Sequence, residues 1–216
     1  MNPQLSVKKG RFITLEGGEG VGKTTNMAFI EGYLTERGID VLVTREPGGT
    51  PLSEAIREML LDKQYKGMHA DTELLLMFAA RAEHIHRKIL PALQQGTWVL
   101  SDRFTDASFA YQGAGRELGF ARIEILEAYV QNGFQPDLTL LLDAEVELGM
   151  ERVDQRAEKD RFENEQLAFF RRVRQGYLQR ASEHPERLKL VNAMQTLSEV
   201  QAELAAHLDR LLDERG

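Results

Sequence analysis

Short apolar runs alternate along this chain with longer stretches in which apolar residues recur every three or four positions. Phe12-Ile13-Thr14-Leu15, Val41-Leu42-Val43-Thr44, Trp98-Val99-Leu100-Ser101, Leu138-Thr139-Leu140-Leu141-Leu142 and Leu188-Lys189-Leu190-Val191 have the length and content of buried strands. The stretches between them predict helices. One covers about 25–37, with Gly38 placed to end it, and a short one ends near Leu61. The polar stretch 62–70 predicts a connection. Asp71 is placed to cap a long helix to about Gln95, with Leu74, Leu75, Phe78, Ile85 and Ile89 at helical spacing and Pro91 kinking it or marking its last turn. Further helices follow Asp102-Arg103-Phe104 (broken around 113–119), cover about 121–132, start after Asp143 as cap, and close the chain over about 196–212. Strands alternating with helices predict an α/β fold: a parallel sheet covered by helices on both faces. No repeat, low-complexity tract or linker divides the chain, so residues 1–216 are expected to form a single domain.

Between the first strand and the first helix lies Gly17-Gly18-Glu19-Gly20-Val21-Gly22-Lys23-Thr24, which fits the phosphate-binding pattern G-x-x-x-x-G-K-[ST] in its required strand–loop–helix context. Glycines let backbone N–H groups turn inward and let phosphate oxygens approach, and the helix start favours an anion. Lys23 supplies a positive charge for the outer phosphates, and the Thr24 hydroxyl can ligate Mg²⁺. In parallel α/β folds ligands bind beyond the carboxyl ends of the strands. There the first three strands carry Glu16 with the glycine loop, Arg45-Glu46, and Asp102-Arg103, so three polar clusters are expected to meet in one crevice.

Other residues admit two readings. Asp102 stands where an acidic residue holds Mg²⁺, or it caps a helix or joins a loop ion pair; Arg103 clamps a second phosphate or is a solvated surface arginine. Arg152, Arg156 and Arg161 are interleaved with acidic residues, so they form a salt-bridged solvated helix or a lid that carries cations to a transferring phosphoryl group. Phe78 and Arg81 share a helix face and either join the core or present a ring and a guanidinium to a base.

The net charge of −7 argues against a general nucleic-acid binder. The chain lacks cysteine, any apolar run of membrane-spanning length and, in its polar first ten residues, an apolar signal region; together these lead to an expected cytoplasmic location.

Taken together, the residues resemble the bacterial thymidylate kinase family of nucleoside monophosphate kinases. The resemblance rests on Leu15-Glu16-Gly17-Gly18-Glu19-Gly20-Val21-Gly22-Lys23-Thr24-Thr25, Thr44-Arg45-Glu46-Pro47-Gly48-Gly49-Thr50, Phe78-Ala79-Ala80-Arg81, Ser101-Asp102-Arg103-Phe104, Ala110-Tyr111-Gln112-Gly113, Pro136-Asp137-Leu138-Thr139 and Asp160-Arg161-Phe162-Glu163. It implies a P-loop NTPase fold with a five-stranded parallel sheet and a lid near 149–163, and transfer of the γ-phosphoryl group of ATP to dTMP with Mg²⁺. It further implies that residues 17–25 bind ATP and that Lys23, Arg103, Asp102, Glu16 and the lid residue Arg156 serve catalysis. Thr24 and Asp102 would serve the metal, and Glu16 the acceptor sugar or the metal shell. Phe78 would stack on thymine with Arg81 on its edge; Arg103 would hold the acceptor phosphate, and Ser108, Tyr111 and Gln112 would line the nucleoside pocket. The lid resembles that of the subtype whose P-loop carries no arginine. The family is usually homodimeric. A kinase for another monophosphate such as dUMP or UMP remains the nearest rival. A GTP-binding switch would be expected to carry an Asn/Thr-Lys-x-Asp guanine signature, which is absent.

Overall fold

The computed structural model describes residues 10–154, 160–163 and 165–213, without the side chains of 152–154. Its centre is a five-stranded sheet in the order β2-β3-β1-β4-β5, built from β1 (Phe12–Gly17), β2 (Val41–Arg45), β3 (Trp98–Asp102), β4 (Leu138–Asp143) and β5 (Leu188–Asn192). Every neighbouring pair is parallel. β1, β3 and β4 lie inside the sheet and are buried along almost their whole length, whereas the edge strands β2 and β5 are partly exposed. The continuous apolar runs therefore reflect burial on both faces.

The period of two assigns each face. Ile13, Leu15, Leu100, Leu140 and Leu142 point to one side, where they pack with Ile30 and Leu34 of α1 (Lys23–Thr35) and with Leu204 and Leu208 of a C-terminal helix, Leu197–Asp213. Phe12 and Val99 point to the other side, against Ile85, Ile89 and Phe104. Leu141 meets Tyr111, Phe169, Phe170 and Tyr177 there as well.

The remaining helices are α2 (Pro51–Leu61), α3 (Ala70–His84), α4 (Leu90–Gln94), α5 (Thr105–Ser108), α6 (Phe120–Gln131), α7 (Val146–Asp154) and α8 (Leu167–Glu183), with the C-terminal helix as α9. Wide π turns join α3 to α4 over Ile85–Ile89 and extend α5 over Phe109–Gly115. The first of these leads into Pro91, which has no N–H and would clash with the carbonyl four residues back in a regular helix. The predicted 71–95 helix is thus one continuous rod with a widened turn.

Four expectations change. His69, whose Nδ1 accepts from the Asp71 backbone N–H at 3.3 Å, caps α3, and Asp71 lies in the first turn. Leu75 faces outward at 57% exposure. Asp143 does not precede α7 directly, since that helix starts at Val146; it ends β4 and accepts two hydrogen bonds from Arg174 at 2.7 and 2.8 Å, a bidentate pairing that engages both carboxylate oxygens. α8 is an additional element. Its buried Phe169, Phe170, Val173 and Tyr177 do follow helical spacing, but its many Arg and Gln residues mask the stripe. No helix among the described residues is long and apolar enough to cross a membrane.

Candidate active site

The glycine loop leaves the end of β1 and enters α1 at Lys23. Gly17, Gly20 and Gly22 all take positive φ, conformations in which only glycine is free of strain. Gly20 has a second reason. A Cβ there would lie 2.1 Å from the Gly149 carbonyl oxygen, so α7 and the loop touch backbone to backbone. Lys23 folds over the loop and donates to the carbonyls of Gly18 at 2.9 Å and Gly17 at 3.3 Å. Burial and then Arg103 lower its pKa, while Glu19, Asp102 and Glu16 oppose that shift.

The carboxyl ends of β1, β2 and β3 open on one cavity of about 500 Å³, within the size range of small-ligand sites. Glu19 through Thr25 form one wall. Gly17 and Gly18 lie behind it, as acceptors for Lys23. Arg45 and Glu46 come from the end of β2, Arg57 and Leu61 from α2, Met77 and Arg81 from α3, Asp102, Arg103 and Phe104 from the end of β3, and Ala107, Ser108, Tyr111 and Gln112 from α5 and its π extension. The three clusters expected at three strand ends do converge.

Arg103 is a tightly held cation of this cavity. It adopts φ 70°, a left-handed conformation that costs any residue with a Cβ some strain, and its N–H donates to Leu15 O at 3.0 Å. Its guanidinium donates to Gly17 O at 2.8 Å, Tyr177 Oη at 3.1 Å and Glu19 Oε1 at 2.6 Å, and lies 4.7 Å from the centre of the Tyr111 ring. Burial works against its charge, but Tyr111, Glu19, Tyr177 and Asp102 outweigh it and hold the group charged. Tyr111 donates to the same Glu19 oxygen at 2.6 Å, and its phenol is pushed well above the usual range by burial, then by Glu19, against Arg103.

Arg81 forms the opposite wall. Its Nε donates to Glu46 at 2.7 Å, and its Nη2 donates to Phe104 O at 3.1 Å and Ser108 Oγ at 3.0 Å. Its Nη1 is buried without a hydrogen-bond partner. Glu46 also pairs with His84 Nδ1 at 2.9 Å, and His84 Nε2 with Thr44 Oγ1 at 2.7 Å, so the β2 end is tied to α3. Asp102 lines the cavity with Oδ1 buried and without a hydrogen-bond partner.

Two predicted residues lie elsewhere. Phe78 is buried in a core cluster with Leu74, Phe109 and Ile123 and packs under the Arg81 guanidinium, 4.6 Å from ring centre to carbon; its neighbour Met77 lines the cavity instead. One residue along a helix rotates the side chain by about 100°, enough to exchange cavity for core. Glu16 has no exposure at all and does not line the cavity. It accepts from the Phe104 N–H at 2.7 Å and Tyr177 Oη at 2.8 Å. Burial, then Asp106, push its pKa up to about 8 despite Arg103 and the two hydrogen bonds.

The far end of the 149–163 stretch also reaches the cavity, through Asp160, Phe162 and Glu163. Arg161 is fixed: its N–H and Nε donate to Leu61 O at 3.3 Å and Leu60 O at 2.7 Å. Arg156 and the side chain of Arg152 lie outside the described residues. Sequence reading missed Met77, Arg57 and Tyr177. Tyr177 carries no local signal, because it acts from 74 residues away in the chain.

A family model described as "Thymidylate kinase" matches residues 15–204. Among similar curated proteins, the thymidylate kinase of Teredinibacter turnerae is 56% identical over 203 residues, 94% of this chain and 99% of its own. That of Chromohalobacter salexigens is 58% identical over 205 residues, 94% of this chain and 97% of its own. That of Nitrosospira multiformis is 57% identical over 192 residues, 89% of this chain and 93% of its own.

Proposed function

The chain belongs to the thymidylate kinase family, and from that premise we propose that it transfers the γ-phosphoryl group of ATP to the phosphate of dTMP, giving ADP and dTDP. The observation that carries this reading is the single cavity that sets a P-loop against two fixed arginines, Arg81 and Arg103. An acceptor phosphate oxygen forms a bond to the γ-phosphorus while the bond to the β–γ bridging oxygen breaks. The protein positions the two nucleotides and neutralises charge.

Lys23 and the inward N–H groups of the loop hold the donor phosphates. Arg103 meets the acceptor phosphate, with Tyr111 and Glu19 steering its guanidinium. Arg81 and Gln112 face the base edge, Met77 and Ala107 its plane, and Ser108 supports Arg81. Phe78 backs Arg81 from the core. Glu16 acts through Tyr177 and the Phe104 backbone, which places Arg103.

The donor set fits Mg²⁺. Asp102 offers an orphaned buried oxygen, and the described residues contain no cluster of three His, Cys, Asp or Glu that could hold a metal. Mg²⁺ commonly takes one or two protein oxygens and completes its shell with phosphate and water. Thr24 and Asp102 would hold it, and when bound it would neutralise phosphate charge.

Arg156 supplies the second cation to the transferring phosphoryl group, because the P-loop has only Lys23. Arg156→Ala should lower kcat by about 10²-fold or more, with KM for ATP and dTMP little changed. A raised KM for ATP with kcat intact would make it a ground-state binder. The active form is a cytoplasmic homodimer. Leu75 of α3 and Ile125 and Tyr129 of α6 are exposed at 57%, 69% and 86%, and α3 packs beside α6.

A coupled ADP-release assay against dTMP, dUMP, dCMP, dGMP and dAMP tests the function. dTMP should lead strongly, with some activity on dUMP, since one methyl is worth only about 1–3 kcal/mol. Equal or better use of a purine monophosphate overturns the reading.

A further inference from the structure

Glu73, in the first turn of α3, is fully buried without reaching the cavity. A buried carboxylate must be paired, and this one is held by two guanidinium groups and one amide. Arg161 Nη2 lies 2.7 Å and Arg116 Nη2 3.1 Å from Oε2. Arg116 Nε donates to both oxygens, at 3.2 and 3.3 Å. Gln112 Nε2 donates to Oε1 at 2.8 Å.

Arg116, whose guanidinium can only donate, holds Glu73 as an acceptor through Nε, and Arg161 Nη2 adds an ion-pair contact. The side of the Gln112 amide that faces it must then be the NH₂ group. That choice settles what Gln112 shows to the cavity it lines. With the nitrogen committed to Glu73, the carbonyl oxygen is the atom offered to a ligand. Arg81 lines the same cavity, and its guanidinium can only donate. The cavity wall therefore presents one fixed acceptor and one fixed donor. A pyrimidine with an N3–H and a 4-oxo group matches both. Cytosine, with a bare N3 and a 4-amino group, opposes both.

We propose that Glu73 is a positioning residue which locks the Gln112 amide and so makes the site select a 4-oxo pyrimidine over cytosine. The proposal rests on the dTMP reading of the cavity. Arg116 and Arg161 are the struts that keep the lock in its acceptor state. Arg161 sits between the cavity residues Asp160 and Phe162, which places one strut at the cavity wall.

The test is Glu73→Gln, assayed with dTMP and dCMP in the wild-type and Gln112→Met backgrounds. An amide at 73 can pair with Gln112 in either orientation, which frees Gln112 to turn its NH₂ group to the cavity. The ratio of kcat/KM for dTMP over dCMP should fall at least about tenfold. The fall should come from a higher KM for dTMP and a lower KM for dCMP, with kcat for dTMP within about threefold of wild type. In the Gln112→Met background the same change should leave the ratio where that background set it, because Glu73 acts through Gln112. A ratio within about twofold of wild type in Glu73→Gln, or an equal further loss in the Gln112→Met background, overturns the proposal. If Glu73→Gln does not fold, Glu73→Asp, which keeps the charge but shortens the reach, is held to the same two criteria. Wild-type enzyme that does not prefer dTMP to dCMP would overturn the acceptor reading itself, a result distinct from failure of the Glu73 role alone.

Discussion

Lys23 and Glu16 show how differently two charged residues can serve one site. The Lys23 ammonium donates to two loop carbonyls and lines the cavity, so its removal deletes charge at the site. Lys23→Ala should leave the thermal unfolding curve nearly unchanged and lower kcat by about 10²-fold or more; a variant retaining a tenth of the wild-type rate would end its assigned role. Glu16 is the reverse case, buried and held near pKa 8. At acid pH it is protonated both folded and unfolded. Above the ordinary carboxylate value, 4.5, the unfolded chain releases the proton while the folded chain keeps it until about pH 8. The folded state then binds more protons, so Glu16 makes stability fall as pH rises from roughly 4.5 to 8. Glu16→Gln, which keeps the shape but cannot ionise, should flatten that slope. Thermal unfolding at pH 5.5 and 7.5 should show a smaller Tm difference in the variant, by several degrees; an unchanged difference would mean that Glu16 is charged in the fold.

Elements bring these residues to the cavity, and their ends matter most. α2 starts at a Thr50 cap whose Oγ1 accepts from the Ser53 N–H at 3.2 Å and donates to Ser53 Oγ at 2.9 Å. The helix then carries Arg57 to the cavity and the Leu60 and Leu61 carbonyls to Arg161. Thr50→Ala should cost about 1 kcal/mol of stability, read by urea unfolding, with a smaller effect on kcat. α7 is positioned by contact. The Gly149 Cβ position lies 2.3 Å from Glu19 O, so an alanine must push the helix from the P-loop. Gly149→Ala should raise KM for ATP, and an unchanged KM would show that the loop tolerates the shift.

At the scale of the whole molecule, the proposed dimer puts the exposed apolar residues to the test. Ile125 and Tyr129 are four apart on α6 and share one outward face, with Leu75 on the neighbouring α3. Such exposed apolar side chains are the surface the proposed homodimer would bury. Wild-type protein should run as two chains in light scattering at micromolar concentration, and Ile125→Asp should run as one with its fold intact. A monomeric wild type would remove the dimer from the proposed function.

The sequence alone determined what is local or periodic. The strands are legible because burial on both faces demands continuous apolar runs, and Trp98–Asp102 and Leu138–Asp143 stand where such runs lie. The P-loop is legible because its glycines, Lys23 and Thr24 are consecutive. Arg81, Asp102, Arg103, Tyr111 and Gln112 were identified from the residues and the resemblance, and all five line the cavity. The tertiary structure alone decided what depends on a side chain's direction or on partners far along the chain. It exchanged Phe78 for Met77, because neighbouring helical residues face about 100° apart and a one-residue choice lies below what spacing resolves. It withdrew Glu16 from the cavity, because the closure by Phe104 and Tyr177 comes from elements 88 and 161 residues away. It took Asp143 for Arg174 instead of a helix end. It also gathered Glu73, Gln112, Arg116 and Arg161 around one buried carboxylate, because a buried charge draws its partners from wherever the fold delivers donors, and no local pattern records that.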